Sequence, residues 1–583
     1  MIHNILRLRR IGNPGCGKTV LAASTIEHLR KSGASVYFYF FRWDDKSCNE
    51  SHQAYRALLA QMLHARWSDN RFQDAVSLAK GRGGQPTASR RELVELMDVC
   101  LSIAEPHKTF IVLDAIDECS DGKHLIRDLL KLHKHNVTKV ALFSRPNTFD
   151  LPGLILKSRT CAVNRENVGD LRSYLSASLT SMKQNSLLPE DADVEILLAH
   201  LLTGADGMFL WARLMMEYLE EATSFTPRRR VRVIMKVTFP ERLERMYERI
   251  KEELSHRFKD DIQFAHLIIT WLTYGKRPLT TSEMRDAAIV WSKDSDYDEF
   301  EPMVLKSCVW LVETYQIFNP RSQRWTQGFR FIHQTAKEYV MQFMHDPSLF
   351  AVSEIHAHCQ IARICVDYIR NTLPPGPLSG ALAEDIPCAE VDDRLPLCDY
   401  ATSHWIEHLS QLQAAMEHRS KLPEPSNSRY WEQQYLLLLE MIKGLLVNKK
   451  TLMVWVEAAF VFKRRPDYQT LRNWSRSLDA SDLSFLSKQK DSVVEFCLSI
   501  AGELEQLDND WKKSLTQSPC HIWLEVTAFG DYTHLLNTQN TKHTPFYHED
   551  IVDLMEHTEH LKVMEMEAPD GTHISKLLVI PSK

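Results

Sequence analysis

No two of the twelve cysteines in this chain stand in a C-x-x-C pair, and their scatter marks neither a zinc module nor a disulfide framework. A reducing compartment is the expectation, which places the protein in the cytoplasm. No signal peptide opens the chain. Long apolar runs are missing too: a bilayer span needs about 20 residues. The nearest candidate, LMVWVEAAFVF at 452–462, is too short, carries Glu457, and reads as a buried helix. An excess of positive charge is also absent. The net charge of −6 argues against a broad nucleic-acid-binding face. The basic run RRRVR, from Arg228 to Arg232, reads as a solvated helix face. No internal repeat signals a solenoid or a propeller. His356, His358, Cys359 and Cys365 look like metal ligands, but SEIHAHCQIARICVDYI is a good amphipathic helix and helix packing accounts for them.

What the chain does contain begins early. Gly12, Gly17, Lys18 and Thr19 fill every fixed position of G-x-x-x-x-G-K-[ST], the phosphate-binding P-loop. The glycines let backbone N–H groups turn inward around phosphate oxygens, and the following helix adds its positive dipole. The candidate cradle is therefore Gly12, Asn13, Pro14, Gly15, Cys16, Gly17, Lys18, Thr19 and Val20. Lys18 would reach the β- and γ-phosphates, and the Thr19 hydroxyl would coordinate Mg²⁺.

Apolar, β-rich runs follow at intervals: SVYFYFF (35–41), KTFIVLDAIDEC (108–119) and KVALFSRP (139–146). Strands alternating with helices predict an α/β P-loop NTPase fold, a mostly parallel sheet with helices on both faces. Ligands of such sheets sit at the carboxyl ends of the strands. Asp114 ends one strand and is a candidate for holding Mg²⁺. Asp117 and Glu118 follow closely enough to orient or deprotonate an attacking water. A capped turn with solvated acids is the alternative for this group. Arg145 ends the next strand and would sense a γ-phosphate, with an exposed strand-end arginine as its alternative.

Beyond residue 165 helical patterns dominate, and strand-like pieces return in VWLVETYQIF and GFRFIHQT. Helices followed by a small hairpin suit a winged helix. Pro-rich 373–396 and KLPEPSNS (421–428) interrupt the helices that continue to about 530.

GNPGCGKTVLAAS, FIVLDAIDEC and ALFSRP resemble the NACHT class of signal-transducing NTPases. So do GADGMFLWARLMM, FPERLERMYERI, WLTYGKRPLTTSEM, FRFIHQTAKEYV and PLCDYATSHWIEHL, in order along nearly the whole chain. The ordered set is similar to large fungal NACHT proteins of the heterokaryon-incompatibility type. The resemblance implies a NACHT nucleotide-binding domain (1–160), a small helical domain (161–255), a winged helix (256–348), a C-terminal helical domain (349–530) and a tail (531–583). That tail, with its P-D-G turn, reads as the start of a repeat cut short. It also implies a switch: closed with ADP or GDP, opened by ATP or GTP with Mg²⁺, self-associating when active, and slow in hydrolysis. His333 would touch the β-phosphate of the closed form. An effector domain upstream and a sensor downstream, carried by full-length relatives, are not in the chain, which suggests the switch core of a longer receptor or a truncated gene model.

Two departures stand out. Related plant-type switches place Gly-x-Pro against the base, whereas this chain reads DGMFLWA, which leaves adenine or guanine open. The other functions to weigh are an inert scaffold, an ATP-driven remodelling enzyme and a winged-helix DNA binder. The second departure is the first strand, ILRLRRI, with Arg7, Arg9 and Arg10 where a central strand is buried on both faces. Burying unpaired charge costs several kcal/mol per ion, comparable to a domain's net stability of roughly 5–15 kcal/mol. Replacing Arg7, Arg9 and Arg10 with Leu, Ile and Val should therefore raise the melting temperature of the chain. A well-folded chain that loses stability on this change would show the arginines to be paired or solvated.

Overall fold

The computed structural model describes residues 7–42, 48–71, 73–74, 77, 89–103, 109–131, 138–145, 159–221, 225–237, 241–255, 257–294, 297, 299–319, 323–342, 353–419, 428–480, 490–530, 532, 534–535, 561–564 and 578–581. The strands β1 (Arg7–Ile11), β2 (Ser35–Phe40), β3 (Thr109–Asp114), β4 (Thr138–Ser144) and β5 (Arg159–Ala162) form one sheet in the order β2-β3-β4-β1-β5. Every pairing in it is parallel. The runs read as strands in the sequence supply β2, β3 and β4.

Alternation across the pleat explains why these strands read as continuous apolar runs. Ile111 and Leu113 of β3 join Tyr37 and Leu142 in one core, with Tyr55, Leu58 and Met62 of α2 (Ser51–Ala65), Met97 of α3 (Arg90–Ile103) and Leu125 of α4 (Gly122–Lys131). Val112, Val36, Ala141 and Phe143 face the other way, onto Ala22 and Ile26 of α1 (Lys18–Lys31). Both faces are covered, so both sets must be apolar. β1 runs between β4 and β5, with Arg9 in register with Leu142 on one side and Thr160 on the other. The side chains of Arg7, Arg9 and Arg10 lie outside the described residues.

The chain divides into two compact units. The first holds the sheet, the helices up to Phe258, and two later returns of the chain, Cys308–Glu313 and Phe331–Val340. Behind the sheet come α5 (Val163–Glu166), α6 (Val168–Gln184), α7 (Val194–Ala205), α8 (Phe209–Glu221), α9 (Pro227–Met235) and α10 (Leu243–Ser255). Asp193 caps α7 by accepting the N–H groups of Glu195 and Ile196. Asp206 and Gly207, both at positive φ, turn the chain from α7 into α8. Thr226 caps α9, with Pro227 in its first turn. One correction belongs here: the run from Arg228 to Arg232 is not solvated throughout. Arg230 turns inward and donates to the carbonyls of Leu219, in the last turn of α8, and Phe225, just before the cap of α9, each at 2.5 Å; a last-turn carbonyl such as that of Leu219 has no helical partner of its own.

The second unit contains α11 (Lys259–Tyr274), α12 (Thr281–Ser292) and most of α13 (Phe300–Cys308), followed by most of the hairpin of β6 (Val312–Asn319) and β7 (Arg324–Phe331). A capping box of Thr280 and Glu283 starts α12. Phe264, Tyr297, Phe300 and Phe329 form an edge-and-face aromatic cluster beneath these elements. Long helices complete the unit. His358 and Cys365 sit buried inside the helix Glu354–Asn371, and His358 Nδ1 pairs with His408 Nδ1 at 2.8 Å.

LMVWVEAAFVF lies wholly inside the buried helix Lys449–Val461 and its C-cap. Glu457, within it, is 1% exposed and accepts from Trp523 Nε1 at 2.8 Å and from the Leu378 N–H at 3.0 Å. Burial pushes its carboxyl up to about 7, against the two hydrogen bonds. A carboxyl whose folded-state pKa lies above its unfolded value binds its proton more tightly in the native state, so its contribution to stability falls as pH rises from about 4.5 to about 7. The interval corresponds to about 3 kcal/mol. Glu457→Gln keeps an acceptor for both donors and removes the charge. We expect the variant and wild type to unfold alike near pH 5, and the variant to be more stable at pH 8 by roughly 1–3 kcal/mol. A stability difference independent of pH, measured by denaturant titration, would contradict this.

Candidate functional site

Three adjacent strands, β3, β4 and β1, end at the same edge of the sheet, and each is followed by a motif picked out in the sequence. β1 leads into the loop 12–17. Gly15 and Gly17 adopt φ of 72° and 88°, which side chains with a Cβ avoid. A Cβ on Gly15 would stand 2.4 Å from Leu210 Cβ, so this position is closed to a side chain twice over. Gly17 caps α1 without a side-chain bond, and no acid stands in the helix's first turn, whereas His28, Arg30 and Lys31 occupy its last. The dipole is thus balanced at the C-terminus and left open to an anion at the N-terminus. Lys18 Nζ lies over the loop, donating to the carbonyls of Gly12 at 2.9 Å and Asn13 at 3.0 Å, while the Cys16 side chain is buried beneath.

β3 delivers Asp114, 2% exposed. Burial raises its pKa above the usual carboxylate range, opposed by a bond from the Thr19 hydroxyl, the Ala115 N–H and the Lys18 charge. Its Oδ1 is buried without a hydrogen-bond partner among the described residues. A buried orphan carboxylate oxygen beside a hydroxyl is a hard-oxygen donor set, and it fits Mg²⁺. Ala115 then takes φ 53°, a left-handed conformation uncommon outside glycine, and turns the strand into the short helix Ile116–Glu118. That turn presents Asp117 and Glu118 at the sheet edge.

Asp117 engages Arg145, which closes β4. Its Oδ1 accepts the Arg145 N–H and its Oδ2 pairs with Arg145 Nε, both at 3.2 Å. The guanidinium continues to Gln334 Oε1 at 2.6 Å and to Glu338 Oε1 at 3.3 Å. Both belong to α14 (Gln334–Gln342), which begins directly after His333. His333 itself is half-buried. Its Nδ1 accepts the Thr335 N–H at 3.2 Å and meets the Thr335 hydroxyl at 2.9 Å, and that hydroxyl pairs with Tyr247 Oη at 2.7 Å. A backbone N–H can only donate, so Nδ1 is unprotonated and the neutral ring carries its proton on Nε2. Burial, joined by the charges of Arg145 and Lys18, lowers its pKa to about 3.

Sequence reasoning missed the groups that tie the loop to the helices behind it. Asn167, buried at the start of α6, donates Nδ2 to the carbonyls of Cys16 at 3.0 Å and Gly207 at 2.8 Å. The Leu210 N–H donates to the Gly15 carbonyl at 3.1 Å. These contacts join segments about 40 to 200 residues apart, and no local pattern in a single sequence announces them.

The fold and loop are those of an α/β P-loop protein, with helical segments following the sheet along the chain. Residues 6–145 match the family model described as Nephrocystin 3, N-terminal. Over 441 residues the chain is 24% identical to the vegetative incompatibility protein HET-E-1 of Podospora anserina, covering 69% of this chain and 30% of that protein. The resemblance to fungal NACHT incompatibility proteins is thus borne out, and the chain spans less than a third of that relative's length. A match to the solved structure of the Aeropyrum pernix ORC1 protein in complex with DNA covers 59% of this chain and 87% of that one, at 16% identity and a TM-score of 0.25. No helix among the described residues is long and apolar enough to cross a membrane.

Lys18→Ala removes the ammonium that lies over the loop while leaving its glycines and the Asn167 bonds intact. The expected outcome is a chain with wild-type melting behaviour and no measurable affinity for ADP or ATP by calorimetry. Unchanged affinity in the folded variant would remove the loop from the site.

Proposed function

We propose that this chain is the core of an NTP-dependent signalling switch of the NACHT class, closed around a nucleoside diphosphate and opened by the triphosphate with Mg²⁺. The observation that carries the reading is the link from Arg145 to α14, next to a histidine that is neutral and has Nε2–H to donate. A neutral donor suits the β-phosphate of a diphosphate. A γ-phosphate would bring new charge to Arg145 and compete with Glu338 and Gln334 for it, which would favour release of α14.

Lys18, with the open amides of Thr19 and Val20, would hold the phosphates, and Thr19 and Asp114 would hold Mg²⁺. That ion would neutralise charge between the β- and γ-phosphates. Asp117 is committed to Arg145, so we assign it to positioning that arginine, and Glu118 to orienting water. An acid tied down in this way agrees with slow, regulatory hydrolysis rather than the sustained turnover of a remodelling enzyme. Residues 256–348 would act as the winged helix carrying His333, within the domain order read from the sequence. Triphosphate-dependent self-association in the cytoplasm completes the reading.

The test is release of a fluorescent ADP from the full chain. His333→Ala and Glu338→Gln should each release it several-fold faster than wild type, and ATP with Mg²⁺ should raise the sedimentation coefficient of the wild-type chain. Release unchanged in both variants, with no change of assembly state on ATP, would rule out the switch.

A further inference from the structure

The fold accounts for only part of the basic run on α9. Arg230 turns inward to two carbonyls, and Arg229 lies over the Phe225 ring, 4.5 Å from its centroid. Arg228 and Arg232 do neither. They stand one helical turn apart, exposed and with no ion pair among the described residues, and they line a cavity of about 420 Å³ between α9 and the start of α7. Val231 and Met235 continue the same stripe of α9, and Ile196 and Leu197 of α7 line the other side. Met235 is 40% exposed and Ile196 49%, so the floor is an apolar surface open to solvent. The rim on the α7 side carries Asp191 and Asp193.

Both walls are fixed. Asp193 caps α7, and Lys183 Nζ donates to the Ala192 carbonyl at 3.0 Å. His200 Nδ1 meets the Val237 carbonyl at 2.7 Å, which ties α7 to the chain leaving α9. A groove held open in this way needs little reorganisation to receive a ligand.

The two-signed rim selects among ligands. A phosphate, a nucleic acid or an anionic bilayer would meet the aspartates as well as the arginines, and like charges oppose binding. A polypeptide can set acids against one rim and bases against the other, with apolar side chains between. On a helix this takes two carboxylates at i and i+4, the spacing of Arg228 and Arg232 themselves. The stripe from Arg228 to Met235 runs about 10 Å, two turns, which such a helix can match.

We propose that the groove between α7 and α9 docks an amphipathic helix of a partner protein. Its acidic edge lies on Arg228 and Arg232, its basic edge toward Asp191 and Asp193, and its apolar seam on Ile196, Val231 and Met235.

The probe is a synthetic peptide of about 15 residues, the length at which isolated helices begin to hold. It carries leucines along one seam, two glutamates one turn apart on one flank and two lysines on the other. Binding to the full chain is followed by fluorescence anisotropy. The wild-type chain should bind it saturably, and Arg228→Glu combined with Arg232→Glu should weaken it by about tenfold or more. A second peptide, with lysines in place of both glutamates, should reverse the order, weak on wild type and strong on the double variant. Met235→Asp should abolish binding of the first peptide. All three positions are exposed, so melting temperatures should stay at the wild-type value. No saturable binding to the wild-type chain would overturn the proposal. So would affinity that survives the double variant, a loss that the lysine peptide does not reverse, or indifference to Met235→Asp. Binding of anionic vesicles or a single-stranded oligonucleotide that the double variant abolishes would also overturn it, by making the groove a site for simple anions.

Discussion

Asp114 is a carboxylate buried at the tip of a strand that is itself covered on both faces. Such a group is tolerated as an anion only if positive charge or hydrogen bonds come to it. The local structure answers that constraint in sequence. β1, two places away in the sheet, brings the loop that aims Lys18 and the Thr19 hydroxyl at it. A left-handed Ala115 bends the chain away before another carboxylate can stand beside it. One carboxylate oxygen still lacks a partner among the described residues, and this is why the arrangement favours a cation.

The same edge solves a second problem, that of connecting the sheet to a segment almost 190 residues further on. Arg145 lies between two acids, Asp117 from the short helix after β3 and Glu338 from α14, and its fork geometry lets Nε serve the first, one terminal nitrogen the second and the other terminal nitrogen Gln334. His333 sits beside this bridge as a neutral ring, held so by burial and by the cations of the phosphate site. The electrostatics are coherent: the charges of Arg145 and Lys18 keep the histidine from becoming a further cation, and leave it with a single N–H to give.

Much of this was legible in the sequence, for physical reasons that differ from element to element. The loop glycines announce themselves because few other residues take their backbone angles, and β2, β3 and β4 because a strand buried on both faces reads as an unbroken apolar run. LMVWVEAAFVF was recognisable as buried by its composition and length. Arg230 was not, since a buried arginine satisfied by two carbonyls has the same letters as a solvated one. Asn167 was equally silent. Its role comes from where α6 ends up against the loop, and periodicity carries no information about such docking.

Magnitudes decide what the bridge to α14 can contribute. Arg145 and Glu338 are 27% and 42% exposed, and ion pairs of that kind are worth roughly 0–1 kcal/mol. A shift between 1:99 and 99:1 needs about 5.5 kcal/mol of differential binding. The ion pair alone is therefore too weak to drive such a shift. Further contacts hold α14: the half-buried bonds of His333 with Thr335 and of the Thr335 hydroxyl with Tyr247, and the buried Tyr247 packed on Tyr339 with centroids 5.2 Å apart. An aromatic pair contributes about 0.5–1.5 kcal/mol beyond burial, and an intramolecular hydrogen bond about 0.5–1.5 kcal/mol net. On this reckoning packing at Tyr247 contributes more than the Arg145–Glu338 pair to keeping α14 in place.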